Sequence, residues 1–577
     1  MTRNERPDGR PAGRPSHFPR PIAEHPGFLL GAGLLSLLPD ILLFLRGIPS
    51  VHAGRNFLLA VLLALFRSYL LALPLLLPEG GGNSALRIGK RIYEAVVLTA
   101  IGALAAAECF LLLRFDLRYT YHVLLLLWET NLRESLEFLE ACAASPALFG
   151  TLAAALLAGT AVRFAGRRAA RFEAGRKTRI LLTILLIVSA GCYAARVRHH
   201  YRMTLADDFP AEMRRRSATV SMFERLHTAV YWFRRNFSAE QAERLLHALE
   251  TADTEGCSFR SPCIVLIIGE SFNKHHSELY GYPLPTSPRL RERMERGELI
   301  LFRDAETPAN FTAEVLPYLF SVAGDIASRA DAPLFPALFK RAGYAVYHLD
   351  NQAAGAHCDW YDVGLKPMFN TRSNPLLFTA VNERTFPYDG ELLAEYDRIA
   401  PRDGGPELTI FHLMGQHMIY RTRFPGEYAF FTADDIPRTD LDRDRRQTIA
   451  DYDNATRYND AVVDALIGRF ADRDAVVVYL ADHGEEIYDY RDFWGRSHGD
   501  VTPEAFRNQF EIPMMVWTSA SYRRARPDLV ARIARAAGRP FRSGDLPHLL
   551  LDLAGIRCRW SDPSRSILDD RRLVAER

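Results

Sequence analysis

Residues 263–271 read CIVLIIGES, six apolar residues closed by Gly269 and followed by Glu270 and Ser271. The run is too short for a membrane span and too evenly apolar for an exposed helix face. It predicts a strand buried on both faces. Residues 475–485, AVVVYLADHGE, repeat the pattern and end in Asp482-His483-Gly484-Glu485. Further short apolar runs bounded by polar or glycine-containing turns lie at Leu299–Phe302, Tyr344–Leu349, Leu408–Leu413 and Pro513–Trp517. Helical patterns separate them, among them Pro333–Ala342, Gly390–Ile399 and Arg445–Phe470. Strands alternating with helices predict an α/β domain whose sheet is mostly parallel and covered by helices.

In such sheets ligands gather beyond the carboxyl ends of the strands. The side chains found there are Glu270, then Asp482 and His483, then the segment from His412 to His417. Glu, Asp and His suit a zinc-like divalent ion, and three such ligands leave a coordination position open to substrate. A hydroxyl group completes the set. Thr312 lies in Pro308-Ala-Asn310-Phe-Thr312-Ala-Glu314, a turn leading into a predicted helix over Glu314–Ala323. A helix N-terminus favours anions such as phosphate, and metal contact makes a hydroxyl nucleophilic. Alone, Thr312 reads as an ordinary helix cap; beside the acidic strand ends it reads as a nucleophile. Asn310 is a candidate substrate-binding side chain. His417 and His498 are candidates to steady phosphoryl oxygens or to protonate a leaving alkoxide. His275, His276, His348 and His357 read as structural.

Towards the N-terminus the chain changes character. Stretches of about 20 apolar residues, the length that crosses a bilayer, occur near 28–46, 57–77, 92–113, 146–163 and 180–196. The first is too long and too far along the chain for a cleaved signal peptide. Arg3, Arg6, Arg10, Arg14 and Arg20 precede the first span, Arg87, Lys90 and Arg91 follow the second, and seven Lys or Arg between Arg163 and Arg179 follow the fourth. Positive loops stay inside, so five spans put everything after Arg196 outside. Asp40, next to Pro39 inside the first span, is an intramembrane carboxylate and hence a functional candidate. The competing reading is that Pro39 opens the helix and a neighbour or water reaches Asp40. The amphipathic stretch 119–140 is a candidate interfacial segment.

The expected domains are a cytoplasmic tail (1–26), a transmembrane domain (27–197), linker helices (198–260, including Ala239 to Leu249) and an outer catalytic domain (261–577). A net charge of +2 over 577 residues gives no reason to expect a nucleic-acid partner. The seven cysteines contain no Cys-x-x-Cys pair, which argues against a thiolate zinc site. Cys257 and Cys263 are either one disulfide or two free thiols.

CIVLIIGESFNKHHSELYGYPLPTSP at 263–288, FHLMGQHMIYRTRFP at 411–425, ADYDNATRYNDAVV at 450–463 and YLADHGEEIYD at 479–489, with the five-span half, resemble the phosphoethanolamine transferases of the sulfatase/alkaline phosphatase superfamily. The resemblance implies that Glu270, Thr312, Asp482 and His483 bind zinc, with manganese an alternative. It also implies that Thr312 carries the transferred group and that His417 and His498 contact substrate phosphate. The implied donor is phosphatidylethanolamine, the acceptor an envelope glycan or lipopolysaccharide, and the location the bacterial inner membrane with the catalytic domain in the periplasm. Val315 stands where the family often has Ser, and the chain is poorer in cysteine than lipid A-modifying members. A glycerophosphotransferase of the lipoteichoic-acid-synthase type shares the layout, but the 411–425 segment argues against it. Sulfatase activity requires a Cys/Ser-x-Pro-x-Arg context that Thr312 lacks. A catalytically inactive membrane sensor is disfavoured by the joint presence of all six site residues.

Overall fold

The structure, a computed structural model, describes residues 22, 24–46, 53–77, 84–115, 117–120, 123–124, 148–151, 153, 157, 159–160, 175–204, 221–236, 239–323, 328–352, 368–400, 404–496 and 502–569. These form two compact units, one reaching to Trp232 and one from Phe233 onward, so the division falls inside the expected linker.

The first unit is built on helices α1 (Pro26–Leu45), α2 (Ala53–Ala72), α3 (Ser84–Phe115) and α4 (Arg176–Thr204). Among the described residues, four helices are long and apolar enough to cross a membrane. The predicted span at 146–163 and the amphipathic stretch at 119–140 lie largely outside the described residues. Helix α1 packs against α2 and α3, and α2 against α4. Leucine and isoleucine side chains such as Leu181, Ile184 and Ile187 remain exposed on α4, as a lipid-facing surface requires.

Asp40 is buried in α1, and its neighbour answers the question the sequence posed. Arg225, from helix α5 (Met222–Asn236), donates from Nη1 to Asp40 Oδ1 at 2.8 Å. The same guanidinium grips Glu108 of α3 with Nε to Oε1 at 2.6 Å and Nη2 to Oε2 at 2.8 Å. An isolated charge in an apolar bundle is costly, and pairing removes most of that cost. Asp40 therefore reads as one arm of a buried ion-pair clamp.

The second unit opens with helix α6 (Ala239–Glu250), inside the predicted linker helix region. Its core is a seven-stranded sheet of β1 (Cys263–Gly269), β2 (Leu299–Phe302), β3 (Ala345–Asp350), β4 (Ala380–Val381), β5 (Glu407–His412), β6 (Ala475–Ala481) and β7 (Met514–Thr518), in the order β2-β7-β6-β1-β5-β3-β4. Strand β1 is central, and Ile264 to Ile268 are each 0% exposed. Fully burying such a side chain is worth roughly 1.5–3 kcal/mol, so this strand anchors the core.

The sheet is mixed. Strands β1, β3, β4, β5 and β6 pair in parallel, whereas β7 runs antiparallel to both of its neighbours. The reason lies in the connection from β6 to β7. Met514, the first residue of β7, pairs with Leu480 near the end of β6, so β7 enters the sheet at the end where β6 leaves it. Cys257 and Cys263 are free thiols, the latter buried in β1.

Candidate active site

The register of the sheet places the chemistry. Gly269 pairs with Ala481, and Ile268 pairs with both Leu480 and His412, so three strands end at one level. Glu270 follows β1 directly, and Asp482 and His483 follow β6. All three are fully buried, and one ligand atom from each lies within 4.8 Å of the others.

Tight turns hold these side chains in place. Ser271 adopts a left-handed conformation with φ 55°. Its N–H donates to Asp482 Oδ1 at 3.1 Å and its hydroxyl to Glu270 Oε1 at 2.7 Å. Gly415 has φ +47°, and a Cβ there would meet the Glu270 backbone at 2.8 Å. A Cβ on Gly484 would stand 2.2 Å from the Asn508 carbonyl oxygen. Glycine is required at both positions because backbone approaches backbone.

Helix α7 (Thr312–Phe320) begins two residues before its predicted start. Thr312 is its first residue, and the cap is Phe311, so the ordinary-cap reading of Thr312 does not hold. Its hydroxyl instead donates to Glu270 Oε2 at 2.8 Å and lies 3.2 Å from His483 Nε2. His483 Nδ1 is 2.9 Å from the Gly484 carbonyl. A carbonyl only accepts, so Nδ1 carries the proton and Nε2 presents its lone pair to the cluster.

The electrostatics are those of a site built for positive charge. Burial, then the nearby Glu270 carboxylate, push Asp482 well above the ordinary range. Burial also works to raise Glu270, but the charges of His483, His417 and Arg496 outweigh it and hold it low. His483 is itself pushed down to about 3 by burial and by the Arg496 guanidinium, so Arg496 is the lasting cation beside Glu270. Asp482 Oδ2 is buried without a hydrogen-bond donor among the described residues. Two carboxylates, an imidazole lone pair and a hydroxyl oxygen fit a divalent zinc-like cation, which would satisfy that oxygen.

Of the other predicted residues, His417 is half-buried, and its charge acts on both Glu270 and His483. Asn310 is buried and donates from Nδ2 to Gln509 Oε1 at 2.7 Å. His498 and His357 lie outside the described residues. His276 is buried between Asp453 and Asp489, and His348 is buried against the Phe378 ring.

Two neighbours escaped the sequence reading. Gln352 donates from Nε2 to Glu270 Oε2 and to the Leu413 carbonyl, both at 2.9 Å. It stands two residues past the end of β3, so inspecting the residues beyond that strand would have found it. Arg496 was visible only as the neighbour of Ser497 and His498; its guanidinium lies 2.7 Å from His483 Nε2.

The family model described as Sulfatase matches residues 262–556, just over half of the chain. The phosphoethanolamine transferase EptC of Escherichia coli strain K12 is 28% identical over 319 residues, covering 53% of this chain and 53% of that protein. The phosphoethanolamine transferase EptA of Helicobacter pylori is 29% identical over 271 residues, covering 45% of this chain and 48% of that one. The chain thus spans about half the length of the curated relatives it matches. Among solved structures, the integral membrane protein lipooligosaccharide phosphoethanolamine transferase A from Neisseria meningitidis aligns with a TM-score of 0.60 at 18% identity, over 93% of this chain and 97% of that one. That likeness is one of fold.

Proposed function

The chain belongs to the sulfatase family, and from that premise we propose that it is an inner-membrane phosphoethanolamine transferase whose nucleophile is Thr312 and whose catalytic unit faces the periplasm. The observation carrying this reading is the Thr312 hydroxyl, seated 2.8 Å from Glu270 Oε2 and 3.2 Å from His483 Nε2, above a buried three-ligand cluster. The relatives named phosphoethanolamine transferases support the transferred group.

Glu270, Asp482, His483 and Thr312 would hold zinc, or manganese, which supplies Lewis-acid stabilisation of the nucleophile's oxygen. The protein's own groups do the rest. The Thr312 hydroxyl donates to Glu270 Oε2, which is placed to receive its proton. Oγ1 attacks the phosphorus of phosphatidylethanolamine, the phosphorus–oxygen bond to the glycerol breaks, and the diacylglycerol oxygen takes a proton from His417 or His498. A hydroxyl of an envelope glycan or lipopolysaccharide then attacks the same phosphorus and gives its proton to the histidine left neutral by the first step. The bond to Oγ1 breaks, and Thr312 regains its proton from Glu270. Apolar helices suit a donor that is itself a membrane lipid.

The test is intact mass spectrometry of the full chain incubated with phosphatidylethanolamine and no acceptor. A gain of one phosphoethanolamine mapped to Thr312 is expected. A glycerophosphate adduct formed only from phosphatidylglycerol would assign a different donor, and an adduct on another residue would remove Thr312 from the mechanism.

A further inference from the structure

Arg496 stands just past the short strand Trp494–Gly495, which pairs with Glu486–Ile487 and so ties it to the turn carrying His483. Its guanidinium is buried, with its carbon 5.0 Å from the Phe311 ring centroid next to the nucleophile. It has two seats. Nε lies 3.2 Å from Glu485 Oε2, and that carboxylate is fixed from its other oxygen by the Tyr420 hydroxyl at 2.8 Å. Nη1 lies 2.7 Å from His483 Nε2 and 3.9 Å from Glu270 Oε1. Since Nδ1 donates to the Gly484 carbonyl, Nε2 has a single lone pair, and the Arg496 N–H occupies it.

A zinc ion takes an imidazole nitrogen at about 2.0–2.1 Å through that same lone pair. Arg496 and the cation therefore cannot share His483. We infer that Arg496 is a displaceable latch on the metal site: its N–H and a divalent cation compete for the one lone pair of His483 Nε2, so the cation binds there only as the guanidinium moves off, tethered by Glu485. The competition raises the cation concentration at which the site loads. It rests on the reading that Glu270, Asp482 and His483 bind a cation.

A residue with a merely structural role would weaken metal binding when removed; a latch predicts the opposite. The experiment strips the full-length protein of metal in detergent, then measures zinc affinity by competition with a chromophoric chelator for wild type, Arg496→Gln and Arg496→Lys. Circular dichroism verifies the fold of each variant. R496Q should bind zinc about tenfold or more tighter than wild type, the effect of losing one charge-assisted hydrogen bond. R496K keeps the partner charge for Glu485 without the planar fork, and should also bind more tightly; it carries the test if R496Q does not fold. Equal or weaker zinc binding by the folded variants would overturn the latch and leave the metal reading standing. Failure of wild type to bind zinc at all would overturn both.

Discussion

Among the described residues of the second unit, two buried clusters of one histidine and two carboxylates behave in opposite ways. His276 sits between Asp453, 2.8 Å from Nδ1, and Asp489, 3.2 Å from Nε2. Burial alone would discharge it, but the two carboxylates prevail and raise it to about 10. Tyr282 closes the cluster by donating to Asp453 Oδ2 at 2.8 Å. His483 also lies near two carboxylates, yet it is driven down to about 3. The difference is where the ring nitrogens point. Both nitrogens of His276 are spent on carboxylates, so the cluster is a finished ion pair. His483 spends Nδ1 on a carbonyl and turns Nε2 toward a hydroxyl, a guanidinium and the Glu270 and Asp482 carboxylates. A buried histidine can serve as a ligand when its environment keeps it neutral and no carboxylate claims its lone pair by protonating it.

The sharpest way to break this contrast is at the proposed nucleophile. Thr312→Ala should lower phosphoethanolamine transfer by at least about a thousandfold while leaving zinc bound through the remaining ligands. Transfer assays paired with metal analysis would check it, and turnover within tenfold of wild type would show that the cluster's hydroxyl is incidental. Asp482→Asn comes next. It swaps an anionic oxygen for an amide in the site that we read as the unfinished one. Zinc affinity should fall by about a hundredfold, measured by chelator competition. Unaltered zinc binding would remove Asp482 from the ligand set.

Much of this was legible because the site lies at the ends of strongly patterned segments. The apolar runs at 263–268 and 475–481 announce central strands, and the polar residues beyond them face one edge by sheet geometry alone. Groups that arrive from afar were not legible. Arg225 reaches Glu108 across 117 residues, and Gln352 reaches Glu270 across 82, with no periodicity linking the pairs. The two-residue strand Ala380–Val381 is too short to carry a pattern. The antiparallel course of β7 depends on where the chain after His483 travels, which composition does not encode.

The finished cluster predicts a stability effect without a metal effect. His276→Gln should cost roughly 3 kcal/mol, the penalty of leaving buried carboxylates without their cation, and leave zinc affinity unmoved. Its pH dependence has a definite sign. The folded-state value of about 10 lies above the ordinary 6.5. The contribution of His276 is therefore complete below pH 6.5, declines above it, and is gone beyond about pH 10. Thermal melts from pH 6 to 10.5 should show wild type losing more stability than H276Q across that window. Parallel curves for the two would mean that His276 is not charged in the fold.

The smallest effect sharpens the contrast from the other side. Gln352 touches Glu270 Oε2, the same oxygen that receives the Thr312 hydroxyl, and its second bond to the Leu413 carbonyl fixes its amide. A donor on a ligating carboxylate orients it and is worth about tenfold or more in metal affinity. Gln352→Leu keeps the volume and removes the donor, so zinc affinity should drop by about tenfold with little change in melting temperature. If melting falls while zinc affinity holds, Gln352 belongs with His276 among groups that complete the fold, and the boundary between the two kinds of cluster must be drawn closer to Glu270.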